Sequence, residues 1–166
     1  NGRKLLHIVN QLLDFRKAEA GAMPIHVAQV NVEGLLQDAF ALFKENAQKR
    51  AISFHIKSDL EGRLFPADRT YVETILMNLL SNAFKFTPDG GSISLSLWTE
   101  GDTYGFTVRD SGIGMSPEQL THIFERFYQV DGQRKGTGIG LSLVKMLVEK
   151  HHGTIMVASE PAQYTE

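Results

Sequence analysis

The stretch MNLLSNAFKFTP, residues 77–88, decides the fold, because its spacing predicts a helix with two unlike faces. Asn78, Asn82 and Lys85 follow one another at intervals of four and three residues, so they share one stripe of that helix. The other stripe is apolar and predicts a core face: Leu76, Leu79, Leu80, Ala83 and Phe84. Because asparagine is a poor helix former, the polar stripe favours a helix that lines a cavity for a charged ligand.

Bulk composition sets the limits of the interpretation. The chain has 166 residues, of which 42% are hydrophobic and 22% charged, as expected of one folded domain with a short appendage. A net charge of −2 argues against nucleic-acid binding, which normally needs a basic surplus. The absence of cysteine excludes disulfides and thiolate metal sites. The sequence opens inside a helical pattern, so we expect a piece of a longer protein.

The sequence patterns predict helices and strands in an irregular order along the chain. Helical periodicity predicts helices at residues 2–19, 32–50, 69–86, 116–127 and 139–152. Alternation predicts strands at residues 25–32, 52–60, 62–68, 92–101, 103–110 and 153–159, with turns near Glu61-Gly62 and Gly101-Asp102. This order favours an α/β two-layer sandwich, with helices on one face of a mixed, mostly antiparallel sheet.

Two glycine segments add chemistry to the polar stripe. DSGIGM, residues 110–115, follows a predicted strand, and GTGIGL, residues 136–141, runs into a predicted helix. Glycine lets a backbone approach a ligand closely, and a helix N-terminus suits phosphate. Asp110 could accept a hydrogen bond from an amine such as that of adenine, Asn82 could ligate Mg²⁺ and Lys85 could meet a phosphate. Neither segment matches a P-loop or a dinucleotide fingerprint.

Each of these motifs also has an ordinary structural explanation. A DSGIGM segment is often only a turn that ends a strand, and helical asparagines are more often solvated or capping than ligating. The three features in this order favour a nucleotide site over three coincidences.

Four ordered segments carry a family resemblance: NLLSNAFKFTP, DSGIGM, IFERFYQ and GTGIGLSLVKMLVEKHHG. Together they closely resemble the ATP-binding catalytic domain of sensor histidine kinases, especially hybrid two-component sensors. That domain shares its fold with gyrase, heat-shock chaperone and mismatch-repair ATPases. The resemblance implies an ATP-binding domain over residues 25–166, without its last strand. Residues 1–20 resemble the second helix of the family's dimerisation and phosphoacceptor hairpin.

The resemblance also implies the cofactors ATP and Mg²⁺ and assigns roles to residues. Asn82 would coordinate Mg²⁺, Lys85 would contact phosphate, and these two would be the catalytic residues. Asp110 would bind the adenine amino group, and Phe124 with Phe127 would anchor a lid over the nucleotide. The other implied cofactor-binding residues are Asn78, Phe86, Gly112, Gly114, Met115, Phe127, Gly136, Thr137, Gly138, Ile139, Gly140 and Leu141.

Two positions depart from relatives of this kind. Gln129 stands where many members carry an arginine that reaches the γ-phosphate, which leaves Arg126, Arg134 or Lys135 as candidate donors. Asn78 stands where the hydrolytic relatives carry the glutamate that activates water, and an amide cannot take a proton. The second departure favours a phosphotransferase over an ATPase motor.

None of the six histidines lies in the family's His-Glu-x-x-Thr/Ser-Pro setting, so we expect the phosphoacceptor upstream. The chain should then bind ATP without phosphorylating itself. Its expected partners are its own dimerisation domain in a homodimer and a response-regulator receiver domain, with no nucleic acid. The resemblance implies a cytoplasmic domain of an inner-membrane sensor, with membrane contact only through upstream segments. The alternative is a degenerate nucleotide-binding or scaffold module. His151 and His152 fit best as surface residues at a helix end.

Overall fold

The computed structural model describes residues 24–58, 62–130 and 136–161. The predicted helix of residues 2–19 and the candidate donors Arg134 and Lys135 lie outside the described residues. Those that are described form two compact units. We call residues 27–114 with 160–161 the sheet unit, and residues 115–159 with 24–26 the loop unit.

The sheet unit contains five strands and two helices among its described residues. Their order is β1 (Ala28–Asn31), α1 (Val32–Lys49), β2 (Ser53–Ser58), β3 (Leu64–Ala67), α2 (Arg69–Phe86), β4 (Ser92–Glu100) and β5 (Thr103–Asp110). The predicted helix bounds of α2 and the bounds of β5 are confirmed, whereas β1, β2 and β3 are shorter than their patterns.

Strand pairing confirms a mixed α/β sheet. β1 pairs antiparallel with β3, while β4 lies between β2, which is parallel to it, and β5, which is antiparallel. The turn at Gly101-Asp102 joins β4 and β5 as predicted. β2 and β3 follow one another in the sequence but are not paired, because β2 pairs with β4 and β3 pairs with β1.

The core lies between the two helices and the inward faces of the strands. Leu36 of α1, Leu80 of α2 and Leu95 of β4 are fully buried members of one apolar cluster. Half-buried phenylalanines of α1 extend this core: the rings of Phe40 and Phe54 are tilted with centroids 4.7 Å apart, and Phe43 stacks on buried Phe84 with centroids 4.9 Å apart. The core stripe of α2 is therefore confirmed for Leu76, Leu80, Ala83 and Phe84, which are buried, whereas Leu79 is half-buried.

A further aromatic contact joins the two-stranded sheet of β1 and β3 to the three-stranded sheet of β2, β4 and β5. The rings of Phe65 on β3 and Tyr104 on β5 lie 4.9 Å apart between centroids. Burial raises the pKa of the Tyr104 phenol, because an ionised oxygen would lose its hydration there.

Helix α1 ends in a Schellman motif that turns the chain into β2. The N–H of Ala51 donates to the carbonyl of Gln48 at 3.2 Å, and the N–H of Ile52 donates to that of Ala47 at 2.9 Å. Ala51 takes a left-handed φ of 51°, a conformation that glycine adopts more easily. Buried Ile52 and Ala47 supply the apolar contact that accompanies this motif.

The loop unit contains two helices in its described part, α3 (Pro117–His122) and α4 (Gly140–Lys150). Ser116 caps α3 in a reciprocal capping box with Gln119, and Pro117 begins the helix. Helix α3 is shorter than its pattern. Across residues 24–58, 62–130 and 136–161, no helix combines the length and apolar character needed to cross a membrane.

The predicted strand at residues 153–159 is wrong, because the structure shows no strand between residues 153 and 161. An alternating segment becomes a strand only when another strand satisfies its backbone groups, and these residues have no such ladder in the described chain. Met156 is 89% exposed, so the segment also lacks a buried face.

Candidate functional site

The two asparagines in the polar stripe of α2 differ in their hydrogen bonding: the side chain of Asn78 bonds within the helix, and that of Asn82 does not. Nδ2 of Asn78 donates to the carbonyl of Thr74 at 2.8 Å, one turn earlier in the helix. Asn82 is half-buried, and within the described residues no protein group hydrogen-bonds to its side-chain amide. The Nζ of Lys85 lies 4.4 Å from the centroid of the Phe86 ring. Since Mg²⁺ prefers oxygen ligands, the Asn82 carbonyl oxygen is suited to the metal role.

The end of α2 is fixed by an arginine that the sequence analysis did not single out. Nε of Arg50 donates to Asp89 Oδ1 at 2.7 Å, and Nη2 donates to the carbonyl of Thr87 at 2.7 Å. Its Nη1 donates to the carbonyl of Phe84. In return, the N–H of Gly90 donates to the Arg50 carbonyl at 3.0 Å. An arginine at the end of a helix is usually solvated, so the sequence carries no signal for this role.

The Asp110 turn packs against the same end of α2. Oδ1 of Asp110 accepts a hydrogen bond from the N–H of Gly112 at 2.8 Å, which makes an Asx turn. A Cβ added at Gly112 would lie 2.5 Å from that oxygen and 2.9 Å from the carbonyl oxygen of Phe86. Position 112 therefore requires glycine. Two motifs that are 24 residues apart in the sequence, at Phe86 and Asp110, are brought together by the fold.

The last two residues of the DSGIGM segment, Gly114 and Met115, belong to the sheet unit and the loop unit respectively. Gly114 has a φ of +68°, and an added Cβ would lie 1.8 Å from the carbonyl oxygen of Glu160. In the loop unit, the N–H of Met115 donates to Oγ of Ser159 at 3.0 Å. Ser159 was assigned to a strand in the sequence analysis, and its contribution is this side-chain hydrogen bond.

Residues 127–129 are hydrogen-bonded to residues 136–138 inside the loop unit. The N–H of Phe127 donates to the carbonyl of Gly138 at 3.0 Å, and a Cβ at Gly138 would lie 2.6 Å from the backbone carbon of Phe127. Nε2 of Gln129 donates to the carbonyl of Gly136 at 3.2 Å. Phe127 is 64% exposed and has a φ of 62°. Gln129, one of the departures noted above, thus helps to close the base of this loop.

Helix α4 begins directly after the loop. Oγ1 of Thr137 accepts a hydrogen bond from the N–H of Ile139 at 3.3 Å, and Ile139 provides no side-chain cap for the helix. The first N–H groups of the helix, from Gly140 and Leu141 onward, lie at the positive end of its dipole and suit an anion. Phe124 lies under the Lys145 ammonium, 5.7 Å from the ring centroid.

The end of α4 explains the two adjacent histidines. Nδ1 of His151 lies 2.8 Å from the carbonyl oxygen of Leu147, and His152 takes a left-handed φ of 56° just past the helix. Both therefore lie at the end of the helix, as predicted. Within the described residues, no group of three His, Cys, Asp or Glu side chains could hold a metal ion. A metal at the polar stripe would thus depend on Asn82 and on oxygens of the ligand.

Comparison with known proteins adds an independent line of evidence. Residues 67–166, more than half of the chain, match the family described as histidine kinase-, DNA gyrase B- and HSP90-like ATPase. The chain is 36% identical to histidine kinase P4 of Formosa agariphila, over 91% of this chain and 12% of that protein. It is 37% identical to the circadian input-output histidine kinase CikA of Synechococcus elongatus, over 98% of this chain and 22% of that protein. The chain thus spans less than a quarter of either relative.

Solved structures agree with the sequence matches. Full-length ShkA in complex with AMPPNP aligns with a TM-score of 0.85 and 32% identity, over 96% of this chain and 34% of that one. The catalytic domain of histidine kinase ThkA, in a nucleotide-free form, aligns with a TM-score of 0.69 and 29% identity, over 75% of this chain and 81% of that one.

Proposed function

The chain belongs to the histidine kinase-, DNA gyrase B- and HSP90-like ATPase family, and we propose that it is the ATP·Mg²⁺-binding catalytic domain of a sensor histidine kinase. In the full protein it would transfer the γ-phosphate of ATP to a histidine on an upstream helix. ShkA, which aligns over 96% of the chain, was solved with the ATP analogue AMPPNP.

The observation that carries the proposal is the contact between the end of α2 and the Asp110 turn. Asn82 and Lys85, which we propose for the metal and a phosphate, lie on the helix whose last residue, Phe86, contacts the turn proposed for the base. The Asp110 carboxylate is exposed and uses Oδ1 for Gly112, so its other oxygen can accept from the adenine amino group. Lys85 would leave the Phe86 ring to meet a phosphate, and the cation–π contact it gives up is weak at such a site.

Two side chains of α2 support phosphotransfer over hydrolysis. Asn78 occupies the position of the water-activating glutamate in the hydrolytic relatives, and its Nδ2 is tied to the carbonyl of Thr74. The nearby Glu73 accepts a hydrogen bond from Nε of Arg69 at 2.8 Å. No carboxylate of α2 therefore takes the place of the general base. Bound Mg²⁺ would neutralise charge on the phosphate oxygens.

The loop unit supplies the other residues of the proposal. Met115, Phe127, Gly136, Thr137, Gly138, Ile139, Gly140 and Leu141 would contact the nucleotide, with Phe127 and Phe124 anchoring the loop. The N-terminus of α4 and the glycines suit phosphate by their N–H groups and lack of side chains. With Gln129 bonded to Gly136, we propose Arg126 or a cation of residues 131–135 for the γ-phosphate.

The wider assignment follows from the family. We propose that residues 1–20 belong to the dimerisation and phosphoacceptor hairpin, and residues 25–166 to the catalytic domain. The partners would be that hairpin, within a homodimer, and a response-regulator receiver domain. The location would be the cytoplasmic side of an inner-membrane sensor.

Calorimetric titration of ATP, with and without Mg²⁺, tests the proposal. The wild-type chain should bind ATP more tightly with Mg²⁺. Asp110→Asn should weaken binding about tenfold or more, because a hydrogen bond to a charged acceptor contributes about 1.5–3 kcal/mol. Asn82→Ala should remove most of the Mg²⁺ dependence. Asp102→Asn and Asn46→Ala change the same residue types at exposed positions elsewhere, and both should bind like the wild type.

A wild-type chain that binds no ATP would contradict the proposal and favour a scaffold module. Incubation with ATP labelled at the γ-phosphate gives a second readout. The chain alone should stay unlabelled, and a supplied acceptor domain should gain the label. Label on the chain itself would contradict the upstream position of the acceptor histidine.

A further inference from the structure

The outward face of the three-stranded sheet is polar and lies on the side opposite to the buried helices. Side chains alternate along β2, β4 and β5, with apolar residues inward and these residues outward: Ser53, His55, Lys57, Ser92, Ser94, Ser96, Thr107 and Arg109. Serine fills three successive outward positions of β4, where β-branched or aromatic residues would favour a strand more. The proposed nucleotide role uses none of these residues.

Strand register places one cation-bearing row across this face. His55 is opposite Ser94 on the neighbouring strand, and Ser94 is opposite Arg109. Such cross-strand neighbours lie about 5 Å apart, so their side chains reach the same ligand. The short serine forms a floor between two longer side chains. The groove that results has a volume of about 270 Å³ and is lined by His55, Ser92, Ile93, Ser94, Arg109, Asp110 and Ser111.

The charged residues of this region are Arg109 and Asp110, which line the groove, and Lys57, which lies in the next row of the sheet. Within the described residues, no carboxylate forms an ion pair with Arg109 or Lys57, although both side chains are exposed. Asp110 also lines the groove, but its Oδ1 is directed to the N–H of Gly112. Of the outward positions of β2, β4 and β5, Glu100 is the acidic one, and it lies at the hairpin end of β4.

Hydroxyl groups complete the donor set. Oγ of Ser111 accepts from the N–H of Ser92 at 2.8 Å, and Oγ of Ser53 lies 2.7 Å from Nε2 of His55. A hydroxyl that accepts one hydrogen bond can still donate its own proton. Farther along the face, Trp98 covers Gly105, whose added Cβ would lie 2.2 Å from the indole ring. The row of His55, Ser94 and Arg109 has no such cover from Trp98.

We propose that this groove is a second anion site that binds a phosphate group; of the residues proposed for ATP, it contains Asp110 alone. The planar guanidinium of Arg109 would bind two phosphate oxygens, and the hydroxyl of Ser94 would donate to a third. His55 would donate from Nδ1–H, with Ser53 Oγ donating to its Nε2. The position of Lys57 in the next row adds a longer-range positive charge. Free phosphate and a small phosphate monoester offer the same chemistry to this groove.

A nuclear magnetic resonance titration of the ¹⁵N-labelled chain with inorganic phosphate tests the site. Chloride at matched ionic strength serves as the control for screening. Phosphate should shift the backbone signals of residues 53–57, 92–96 and 107–111 in a saturable way, and chloride should not. A parallel titration with glycerol 3-phosphate separates a site for monoesters from one restricted to free phosphate. Equal shifts with phosphate and chloride, or no shift with either phosphate compound, would overturn the proposal.

Two variants test the groove in different ways. Arg109→Gln should weaken phosphate binding at least about tenfold, because it removes a charge-assisted donor pair. Ser94→Val keeps every charge, fills the floor and favours a strand, so it should block phosphate while the fold stays intact. Lys44→Gln removes one exposed charge on α1 and should bind phosphate like the wild type. Wild-type binding by Arg109→Gln would overturn the proposal.

The same titration distinguishes this groove from the polar stripe of α2. Asn82→Ala should bind inorganic phosphate like the wild type, since Asn82 lies on a helix that packs on the inward side of the sheet. Loss of the phosphate shifts in Asn82→Ala would assign the anion to the nucleotide site and overturn a separate groove. ATP binding by Arg109→Gln should equal that of the wild type, so the two proposals can fail independently.

Discussion

The two glycine turns of the proposed nucleotide site are held in different ways. In the sheet unit, the turn at Gly112 touches the backbone of Phe86, and the end of α2 is tied down by three donors of Arg50. In the loop unit, the turn at Gly138 is held by a hydrogen bond to exposed Phe127 and, nearby, one from exposed Gln129 to Gly136.

This contrast implies that one turn is rigid before the ligand binds and that the other can adjust to the ligand. Segments with many buried contacts open only with much of the global stability, whereas exposed segments open locally. The residues proposed for the base and the metal therefore lie on a preformed frame. Lys85, proposed for a phosphate, lies on the same frame, whereas the glycines proposed to bind phosphate lie on a segment that can adjust around its ligand. Mutations in the two turns should accordingly affect stability and binding in different proportions.

The largest effect is expected from Arg50→Ala. It leaves the carbonyls of Phe84 and Thr87 without their donor and should lower the free energy of unfolding by about 3 kcal/mol. Urea denaturation measures this change. Arg63→Ala removes an arginine whose carboxylate partner, Asp102, is fully exposed and whose guanidinium lies 5.1 Å from the Phe65 ring centroid. It should lower the free energy of unfolding by less than about 1 kcal/mol. Equal effects of the two variants would show that Arg50 does not fix the end of α2.

Gly112→Ala should lower both the stability of the fold and the affinity for ATP. The new methyl group would overlap the Asp110 carboxylate and the Phe86 backbone, and overpacking of this kind costs about 1–3 kcal/mol. Because the same shift displaces Asp110, ATP affinity should fall more than about tenfold as well. Denaturation and calorimetry on the same preparation measure both. Unchanged ATP affinity in a destabilised variant would separate this turn from the site.

Gly138→Ala should weaken binding with little loss of stability. Its φ of +71° and the nearby backbone of Phe127 strain any side chain there. Exposed Phe127 and Gln129 let this segment relax locally, so the unfolding free energy should fall by about 1 kcal/mol, as expected of the left-handed strain alone. ATP affinity should drop severalfold in the same calorimetric assay. A loss of stability as large as that of Gly112→Ala would remove the contrast between the turns.

Ala51→Gly is expected to change the free energy of unfolding by no more than Gly138→Ala does, and to raise it where the preceding variants lower it. Glycine relieves the left-handed conformation at the end of α1 and should stabilise the chain by about 1 kcal/mol. Ala41→Gly lies within the same helix and should destabilise by about the same amount, since glycine is a poor helix former. Denaturation midpoints that move in the same direction in both variants would contradict this assignment of the Schellman motif.

Local patterns predicted α1, α2, α4 and the β4–β5 hairpin well, because each depends on residues close in sequence, whereas α3 is shorter than predicted. The polar stripe of α2 and the two glycine segments were also visible as motifs. The contact of Gly112 with Phe86 was not, since it depends on how a turn and a helix end pack together. Arg50 was missed for the same reason: its acceptors lie 34 to 39 residues away.

The failed strand prediction has a related cause. Residues 153–159 alternate in the sequence, but alternation does not reveal whether a partner strand exists. The pairing of β2 with β4 across an intervening strand and helix was equally hidden, because register between distant segments leaves no local trace.

The central claim is that the Asn82 amide holds the metal of an ATP complex. Mn²⁺, which takes the same oxygen ligands as Mg²⁺, broadens the magnetic resonance signals of nearby groups. With ATP and a trace of Mn²⁺, the side-chain amide of Asn82 should broaden first in the ¹⁵N spectrum. The amide of exposed Asn46 on α1 should stay sharp. An Asn82 signal as sharp as that of Asn46 would contradict the metal site on α2.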